Sequence, residues 1–164
     1  MDVLWSPWRY DYIKSDESNA QKHLNNCVFC GILTNSASDE DNFILHRAEF
    51  NFVILNIYPY VSGHLMILPY EHIANLHEAS KEITDELMDL TKKFQAVMRE
   101  VYQPQGINIG MNQGKAAGAG VADHFHMHML PRWIGDANFM TAIGETRTIP
   151  ESLRETYHKY KSAQ

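Results

Sequence analysis

Three histidines in the second half of the chain alternate with large apolar residues, a spacing that could serve chemistry. His124, His126 and His128 are separated by single residues. A period of two is that of a β-strand, in which successive side chains point to opposite faces. The pattern predicts a strand with three imidazoles on one face, which Pro131 would end because proline has no backbone N–H. The opposite, core-facing side would carry Phe125, Met127 and Met129.

A row of imidazoles is poorly explained as a solvated strand face, which usually carries serine, threonine, lysine or glutamate. Two kinds of chemistry remain open: a zinc hydrolase with the three histidines as ligands, or an imidazole that attacks phosphorus. The glycine- and alanine-rich segment Gln113–Gly120 leads into the predicted strand, so its backbone N–H groups could bind a phosphate there. No Gly-Lys-Ser/Thr motif follows it, which excludes a P-loop site.

The composition is that of one globular domain of 164 residues, with 45% hydrophobic and 11% aromatic residues. The net charge of −6 argues against a general nucleic-acid-binding surface, although a small anionic substrate needs only local donors. No run of about 18 apolar residues predicts a membrane span, and the N-terminus lacks a signal-peptide pattern. We therefore expect a cytoplasmic protein that binds neither nucleic acid nor a membrane.

Hydrophobic periodicity predicts one long helix and a small sheet around the histidine strand. Apolar residues recur every three or four positions over Ser80–Tyr102, with Ser80 as the N-cap. A short helix is expected at Glu71–Glu78 and an exposed one at Glu151–Lys161. The four other predicted strands are Phe43–Arg47, Phe50–Asn56, His64–Pro69 and Ile107–Asn112. This is an α+β layout with a mostly antiparallel sheet.

The N-terminal part of the chain supplies an arm and a pair of cysteines. Residues 1–26 carry too many aromatic side chains for a free tail, so we expect an arm that covers a surface. Cys27 and Cys30 form a Cys-x-x-Cys motif, which leaves structural zinc, free thiols and a redox pair open. A redox pair usually needs a helix that starts after a strand, and we see no sign of one here.

Several segments together resemble the histidine triad (HIT) family. His124–Leu130 fits the pattern His-φ-His-φ-His-φ-φ, where φ is an apolar residue. Leu55–Pro69 resembles the family's strand–loop–strand, which contains Gly-His followed by apolar residues and proline. Asn108–Gly114 resembles its strand with two asparagines and a glycine. The resemblance extends over Cys27–Trp133, nearly the whole core.

The ends of the chain look like one branch of that family. Leu4–Arg9 and Pro131–Phe139 resemble segments of a branch that contains diadenosine tetraphosphate phosphorylases and is akin to Fhit-type hydrolases. The Hint-type phosphoramidases lack these segments. The resemblance implies a single HIT domain over residues 1–164, with an N-terminal arm at 1–26 and a C-terminal extension at 134–164.

The resemblance also implies an architecture and an activity. The expected fold is HIT-like, with a five-stranded mostly antiparallel sheet, one long and one short helix, and pairing into a homodimer. The expected activity is nucleotide hydrolysis or transfer, which cleaves a dinucleoside polyphosphate or nucleotide conjugate at the α-phosphate through a nucleotidyl-histidine. A Hint-like nucleoside phosphoramidase and a nucleotide sensor with little turnover are the alternatives. Phosphorolysis and hydrolysis share the first step and differ in the acceptor.

Residue roles follow from the same resemblance. His126 would be the nucleophile, His128 would hydrogen-bond phosphate or the bridging oxygen, and His64 would orient the phosphate. The substrate-binding residues would be Asn56, Ile57, Asn112, Gly118, Ala119 and Gly120. A structural zinc ion would be bound by Cys27, Cys30, His72 and His124. No organic cofactor is expected.

One feature departs from the family pattern. Many members carry serine, threonine or glutamine just before the triad, as a donor to the leaving group. Gly118–Asp123 offers none of these side chains. Lys115 or Asp123 could take over this role.

Overall fold

The computed structural model describes residues 27–137, 141, 143–144 and 149–164. The arm expected at residues 1–26 lies outside these residues, as does part of the C-terminal extension expected from residue 134 onward. No helix in the described part of the chain is long and apolar enough to cross a membrane.

One five-stranded sheet organises the described chain. Its strands are β1 (Ile44–Arg47), β2 (Asn51–Leu55), β3 (Leu65–Pro69), β4 (Gly106–Gly110) and β5 (Met127–Arg132). They lie in the order β1-β2-β3-β5-β4, and every neighbouring pair is antiparallel. The predicted sheet is confirmed, and the ends of β1 to β4 differ from the predicted ends by at most two residues.

Among the described residues, the α-helices that accompany the sheet are α1 (Val28–Thr34), α2 (Lys81–Tyr102) and α3 (Leu153–Ser162). The predicted long helix is α2, and the hydroxyl of Ser80 caps it by accepting a hydrogen bond from the Ile83 N–H. Its buried residues are Ile83, Leu87, Leu90, Thr91, Phe94, Val97 and Met98. The spacing of three and four thus identified the face of α2 that packs into the core.

Side chains along β2 and β3 alternate between two hydrophobic clusters. One cluster, shared with α2 and α3, includes Val53, Leu55, Leu65 and Ile67. The other, shared with α1, includes Phe52, Ile54, Met66 and Leu68. Both strands are therefore buried on both faces, which explains why they read as continuous apolar runs.

The helix prediction was wrong in two places near the cysteines. Glu71–Glu78 forms only a 3-10 turn at Leu76–Glu78, so His72 lies in an irregular segment. A helix that was not expected, α1, begins directly after Cys27 and contains seven residues. Such a short helix spans only two turns, too few to show a hydrophobic period.

The C-terminal helix α3 is packed against the fold, whereas an exposed helix was expected. Tyr157 and Tyr160 are buried, and the Tyr160 hydroxyl donates a 2.8 Å hydrogen bond to the Gly63 carbonyl. Gly63 has a φ of +79°, and a Cβ there would lie 2.7 Å from the ring of Tyr102. Position 63 therefore requires glycine, and α3 buries it from one side.

The histidine strand begins and ends later than predicted. β5 starts after His126, so only His128 of the three histidines lies within the strand. It continues through Pro131, which pairs with β4. The proline is tolerated because the pairing of β5 with β3 ends at Met129, so this stretch has a strand on one side only.

Candidate active site and metal-binding cluster

His64, His126 and His128 meet at the beginning of β5, although they come from two distant segments. The ring centroids of His126 and His128 are 4.8 Å apart, and those of His64 and His128 are 5.0 Å apart. His64 directly precedes β3, and Met66 of β3 pairs with His128. The register of the sheet therefore brings together the three residues predicted to be catalytic.

A chain of hydrogen bonds determines the tautomers of His64 and His128. The backbone N–H of Tyr60 donates to His64 Nδ1 over 3.2 Å, so this nitrogen carries no proton. His64 Nε2 therefore carries the proton, and this N–H donates a hydrogen bond to His128 Nδ1, 2.9 Å away. The proton of the neutral His128 ring is consequently on Nε2, where it can be donated to a substrate oxygen.

His126 has the opposite tautomer. Its Nδ1 lies 2.9 Å from the backbone carbonyl oxygen of His124, which can only accept, so Nδ1 carries the proton. The lone pair is therefore on Nε2. The residue is 4% exposed, and burial lowers its pKa. A neutral imidazole whose Nδ1 is held by a carbonyl is arranged as a nucleophile.

Burial also keeps the two neighbouring imidazoles uncharged at neutral pH. Desolvation lowers the pKa of His64 to about 3, with smaller contributions from His128 and His126. Desolvation lowers the pKa of His128 to about 4, and His126 adds to the shift. The site thus offers a substrate one lone pair, on His126 Nε2, and one polarised N–H donor, on His128 Nε2, instead of positively charged rings.

Four residues from three segments form a compact metal-binding cluster. Cys27 Sγ lies 3.4 Å from His124 Nδ1, and Cys30 Sγ lies 3.4 Å from His72 Nδ1 and 3.7 Å from His124 Nδ1. All four ligand atoms lie within 4.8 Å of one another. In a tetrahedral zinc site with Zn–S near 2.3 Å and Zn–N near 2.0 Å, ligand atoms are about 3.4 to 3.8 Å apart. The residues therefore fit a zinc ion.

The orientation of His124 is set from outside the cluster. Its Nε2 lies 3.0 Å from the Pro69 carbonyl oxygen, so Nε2 carries the proton and Nδ1 presents a lone pair to the sulfurs. Desolvation lowers the pKa of His124 to about 4, which keeps the ring neutral. Because both of its nitrogens are engaged, the zinc site of three histidines considered from the sequence is not formed.

Two predicted substrate contacts lie beside His64, on the loop that joins β2 to β3. The Asn56 backbone N–H donates to the His64 carbonyl over 3.0 Å, and its side-chain oxygen accepts from the Tyr58 N–H over 2.9 Å. Asn56 is 9% exposed, whereas Ile57 is 45% exposed. The loop therefore places a fixed amide and an exposed apolar side chain next to the histidines.

The other predicted substrate contacts follow β4. Gly110 at the end of β4 pairs with His128, and Asn112 follows two residues later. The loop residues predicted to contact phosphate are Gly118, Ala119 and Gly120. Gly118 has a φ of +87°, a left-handed conformation that glycine adopts without strain. In the described part of the chain, no hydrogen bond joins these three loop residues to His64, His126 or His128.

Sequence reasoning missed two aromatic residues of the site. The Tyr60 ring lies 4.7 Å from the His64 ring and 6.1 Å from the His128 ring. Phe29 packs on the two other triad histidines, at centroid distances of 5.4 and 5.2 Å. Contacts between aromatic rings from separate segments have no periodic signature. The proximity of Phe29 to two cysteines in the sequence was the single available clue.

Residues 37–133 match the sequence profile of the HIT domain. This span contains the five strands of the described sheet and the three alternating histidines, His124, His126 and His128. The chain belongs to the HIT domain family. The resemblance seen in the sequence is thereby confirmed, while Cys27 and Cys30 lie before the matched span.

Individual relatives agree with this assignment. An AP-4-A phosphorylase from Mycobacterium tuberculosis (strain H37Rv) is 38% identical over 158 residues, covering 93% of this chain and 79% of that protein. An adenosine 5'-monophosphoramidase from Saccharomyces cerevisiae is 32% identical over 107 residues, covering 65% of this chain and 62% of that protein. The crystal structure of a zinc-bound histidine triad family protein from Mycobacterium smegmatis has a TM-score of 0.69 at 28% identity, covering 85% and 93% of the two chains. The expected HIT-like α+β fold is confirmed.

Proposed function

We propose that this HIT family protein cleaves a dinucleoside polyphosphate, with diadenosine tetraphosphate as the test substrate, at the α-phosphate through a nucleotidyl-histidine on His126. The observation that carries the proposal is the hydrogen bond from His126 Nδ1 to the His124 carbonyl, which leaves Nε2 as the nucleophile. The relative named AP-4-A phosphorylase supports the substrate class. This activity is of the class expected from the sequence, nucleotide hydrolysis or transfer.

In the first step, His126 Nε2 attacks the α-phosphorus. A P–N bond forms, and the P–O bond to the leaving nucleotide breaks. The imidazole becomes positively charged, and the His124 carbonyl that accepts from Nδ1 stabilises that charge. His128 Nε2–H donates to the oxygen that bridges the α-phosphorus to the leaving nucleotide and stabilises the charge that develops there.

In the second step, an acceptor oxygen attacks the same phosphorus from the side vacated by the leaving nucleotide. The P–N bond breaks, His126 is released as a neutral ring, and the proton of the acceptor passes to solvent water. Water as acceptor yields AMP and ATP from diadenosine tetraphosphate, whereas inorganic phosphate yields ADP and ATP. The two reactions share the nucleotidyl-histidine intermediate and differ only in this acceptor.

His128 is the group that we propose in place of the missing leaving-group donor. Gly118–Asp123 carries no hydroxyl or carboxamide side chain. His64 donates to His128 Nδ1 from behind, which makes the opposite N–H a better donor. The bridging oxygen that departs with the second nucleotide can then accept a hydrogen bond from His128 Nε2–H.

We also propose that Cys27, Cys30, His72 and His124 bind a structural zinc ion. The support is the spacing of the four ligand atoms and the carbonyl that orients His124. Bound there, zinc would link the start of α1 to the segments that carry His72 and His124. It lies outside the reaction, because the attacking nitrogen belongs to His126.

A cytoplasmic homodimer that binds neither nucleic acid nor a membrane completes the proposal. The support for a dimer is that β4 is an edge strand of the sheet, with Ile109 41% exposed. Sedimentation equilibrium measures the mass in solution directly. A monomer at micromolar concentration would contradict the dimer and leave the reaction mechanism untouched.

The decisive experiment uses diadenosine tetraphosphate with and without labelled inorganic phosphate. Label that appears in ADP identifies a phosphorylase, while AMP plus ATP regardless of phosphate identifies a hydrolase. His126→Ala should lower kcat by at least about 10⁴-fold, because no other group supplies the covalent step. The fold should survive, as judged by circular dichroism and thermal unfolding.

Matched controls separate the nucleophile from a general loss of histidine. His77 is exposed, and His77→Ala should retain full activity. Full activity of His126→Ala would show that His126 is not the nucleophile. Turnover of adenosine 5'-phosphoramidate in the absence of any cleavage of diadenosine tetraphosphate would favour the phosphoramidase alternative. Tight AMP binding without turnover of either would favour a sensor.

A further inference from the structure

The nucleophile stands just outside the hydrogen-bonded sheet. The pairing of β3 with β5 starts at Met127, one residue after His126. Among the hydrogen bonds of the preceding segment, the Phe125 N–H donates to the Ile73 carbonyl over 2.8 Å, His126 Nδ1 donates to the His124 carbonyl over 2.9 Å, and His124 Nε2 donates to the Pro69 carbonyl over 3.0 Å. The position of the attacking ring therefore depends on how His124 is held.

His124 is in turn held by the metal-binding cluster. Its Nδ1 faces both cysteine sulfurs, and its backbone carbonyl accepts the hydrogen bond from Nδ1–H that defines the tautomer of His126. One residue thus takes part in the cluster through its ring and in the active site through its backbone.

A second connection runs through Phe29. This residue lies between Cys27 and Cys30 in the sequence, is 5% exposed, and is carried by α1. Its ring packs on His124 with an interplanar angle of 76° and on His126 with an angle of 58°. The contact with His124 is the edge-to-face arrangement that aromatic rings favour, and the tilted contact with His126 packs the Phe29 ring directly against the nucleophile.

The helix α1 cannot hold Phe29 in place by itself. It has seven residues, and isolated helices of this length do not persist in water. Its anchors are the two cysteines at its start and the apolar cluster that contains Phe29. Loss of the metal would free the cysteines, and Phe29 would move with them.

From this arrangement we propose that the metal-binding cluster sets the orientation of the His126 ring. Phe29 is the positioning residue through which the zinc-bound or zinc-free state of the cluster affects that ring. The role assigned to His126 rests on the proposed function, whereas the orientation of its ring does not. Zinc would then act on catalysis from outside the reaction, by fixing the direction of the Nε2 lone pair.

The first test compares two leucine substitutions in the same apolar cluster. Phe29→Leu removes the ring that touches His126, while Phe52→Leu removes a fully buried ring that stacks on Tyr70, 5.4 Å away. Phe29→Leu should lower kcat for diadenosine tetraphosphate roughly tenfold or more, with KM changed less than about twofold. Phe52→Leu should leave kcat within about twofold at a similar loss of thermal stability. Equal kcat values for the two variants would overturn the role of Phe29.

The second test observes the ring itself, independently of turnover. Nuclear magnetic resonance of ¹⁵N-labelled histidine should show one tautomer for His126 in the zinc-loaded protein. Chelation of zinc should average the ring nitrogen signals of His126. Phe29→Leu should average them even with zinc bound, and chelation should then change the signals of that variant little further. Unchanged signals in the folded, zinc-free protein would overturn the proposal.

The two tests distinguish this inference from the proposed function. If the wild-type protein fails to cleave diadenosine tetraphosphate, the proposed function is wrong, and the ring signals still decide the coupling. If chelation unfolds the chain, the zinc-loaded Phe29→Leu and Phe52→Leu variants decide it instead. Averaged His126 ring signals in Phe29→Leu but not in Phe52→Leu support the coupling between the cluster and His126. A single His126 tautomer in both variants excludes that coupling.

Discussion

At the scale of single residues, backbone groups decide what each imidazole can do. His126 acquires one tautomer and His64 and His128 the other, because a carbonyl can only accept a hydrogen bond and a backbone N–H can only donate one. The His124 carbonyl selects Nδ1–H in His126, and the Tyr60 N–H selects Nε2–H in His64. The His64 ring then selects the tautomer of His128. One ring becomes a nucleophile and another a donor through neutral backbone groups and a neutral neighbouring imidazole.

The buried, neutral His128 makes stability depend on pH. In the unfolded chain its pKa returns to about 6.5, whereas in the fold the pKa is about 4. Below pH 6.5 the unfolded state takes up a proton that the folded state does not, so the free energy of unfolding falls as pH falls toward 4. Between pH 6.5 and 4, His128→Gln should remove up to about 1.4 kcal/mol per pH unit from that dependence.

Urea unfolding at several pH values measures this dependence. The groups that face His128 are His64, His126 and Tyr60. His64 has a lowered pKa of its own, so His64 is retained in both proteins that are compared, the wild type and His128→Gln. The exposed His77→Gln provides the control slope. Identical slopes for His128→Gln and wild type would show that His128 is not held neutral.

At the scale of elements, a helix beyond the matched family span supports the loop that enters the active site. Tyr160 of α3 donates to the carbonyl of Gly63, 97 residues away in the sequence, and Gly63 directly precedes His64. The loop's other end is joined by the Asn56 N–H to the His64 carbonyl. The C-terminal helix thus stabilises the loop from the side opposite the site.

Removal of one hydroxyl group tests this support. Tyr160→Phe leaves the buried Gly63 carbonyl without its donor and should lower the free energy of unfolding by about 1 to 3 kcal/mol. Tyr157→Phe, one turn earlier on α3, should cost less than about 0.5 kcal/mol because its ring packing on Phe43 is retained. Urea unfolding measures both, and equal losses would contradict the specific role of the Tyr160 hydroxyl.

At the scale of the whole molecule, the two faces of the sheet have different tasks. One face packs under α2 and α3 and includes Phe125, Met127 and Met129. The other face carries α1, Cys27 and the apolar residues around the histidines. Alternation along the strands separates these tasks, because neighbouring residues contribute to opposite faces.

Metal removal should destabilise the face of the sheet that carries α1 and Cys27. Zinc bound by the cluster would link α1 to two distant segments and stabilise the folded state by its binding free energy. Chelation should lower Tm by about 5 to 10 °C, and added zinc should restore it. Differential scanning calorimetry with elemental analysis checks this. Cys30→Ser should show the lowered Tm without response to zinc, and an unchanged Tm on chelation would contradict a structural zinc.

The predictable part of the fold came from periodic signals. The spacing of three and four identified Ser80–Tyr102 within one residue of α2, and the apolar runs identified the central strands. The unpredicted parts had no period. Seven residues of α1 are too few for one, and Glu71–Glu78 is mostly irregular because its segment is held by single contacts such as Ile73 to Phe125.

The sequence by itself determined the candidate chemistry: residue types at a period of two, a Cys-x-x-Cys pair and a family pattern, all of which are local properties of the chain. Only the tertiary structure decided which nitrogen of each histidine is free, and that Phe29 and Tyr60 belong to the site. Tautomers depend on single backbone atoms, such as the His124 and Pro69 carbonyls, brought to the rings by folding. Ring packing likewise depends on distances of about 5 Å between separate segments, which no spacing in the sequence encodes.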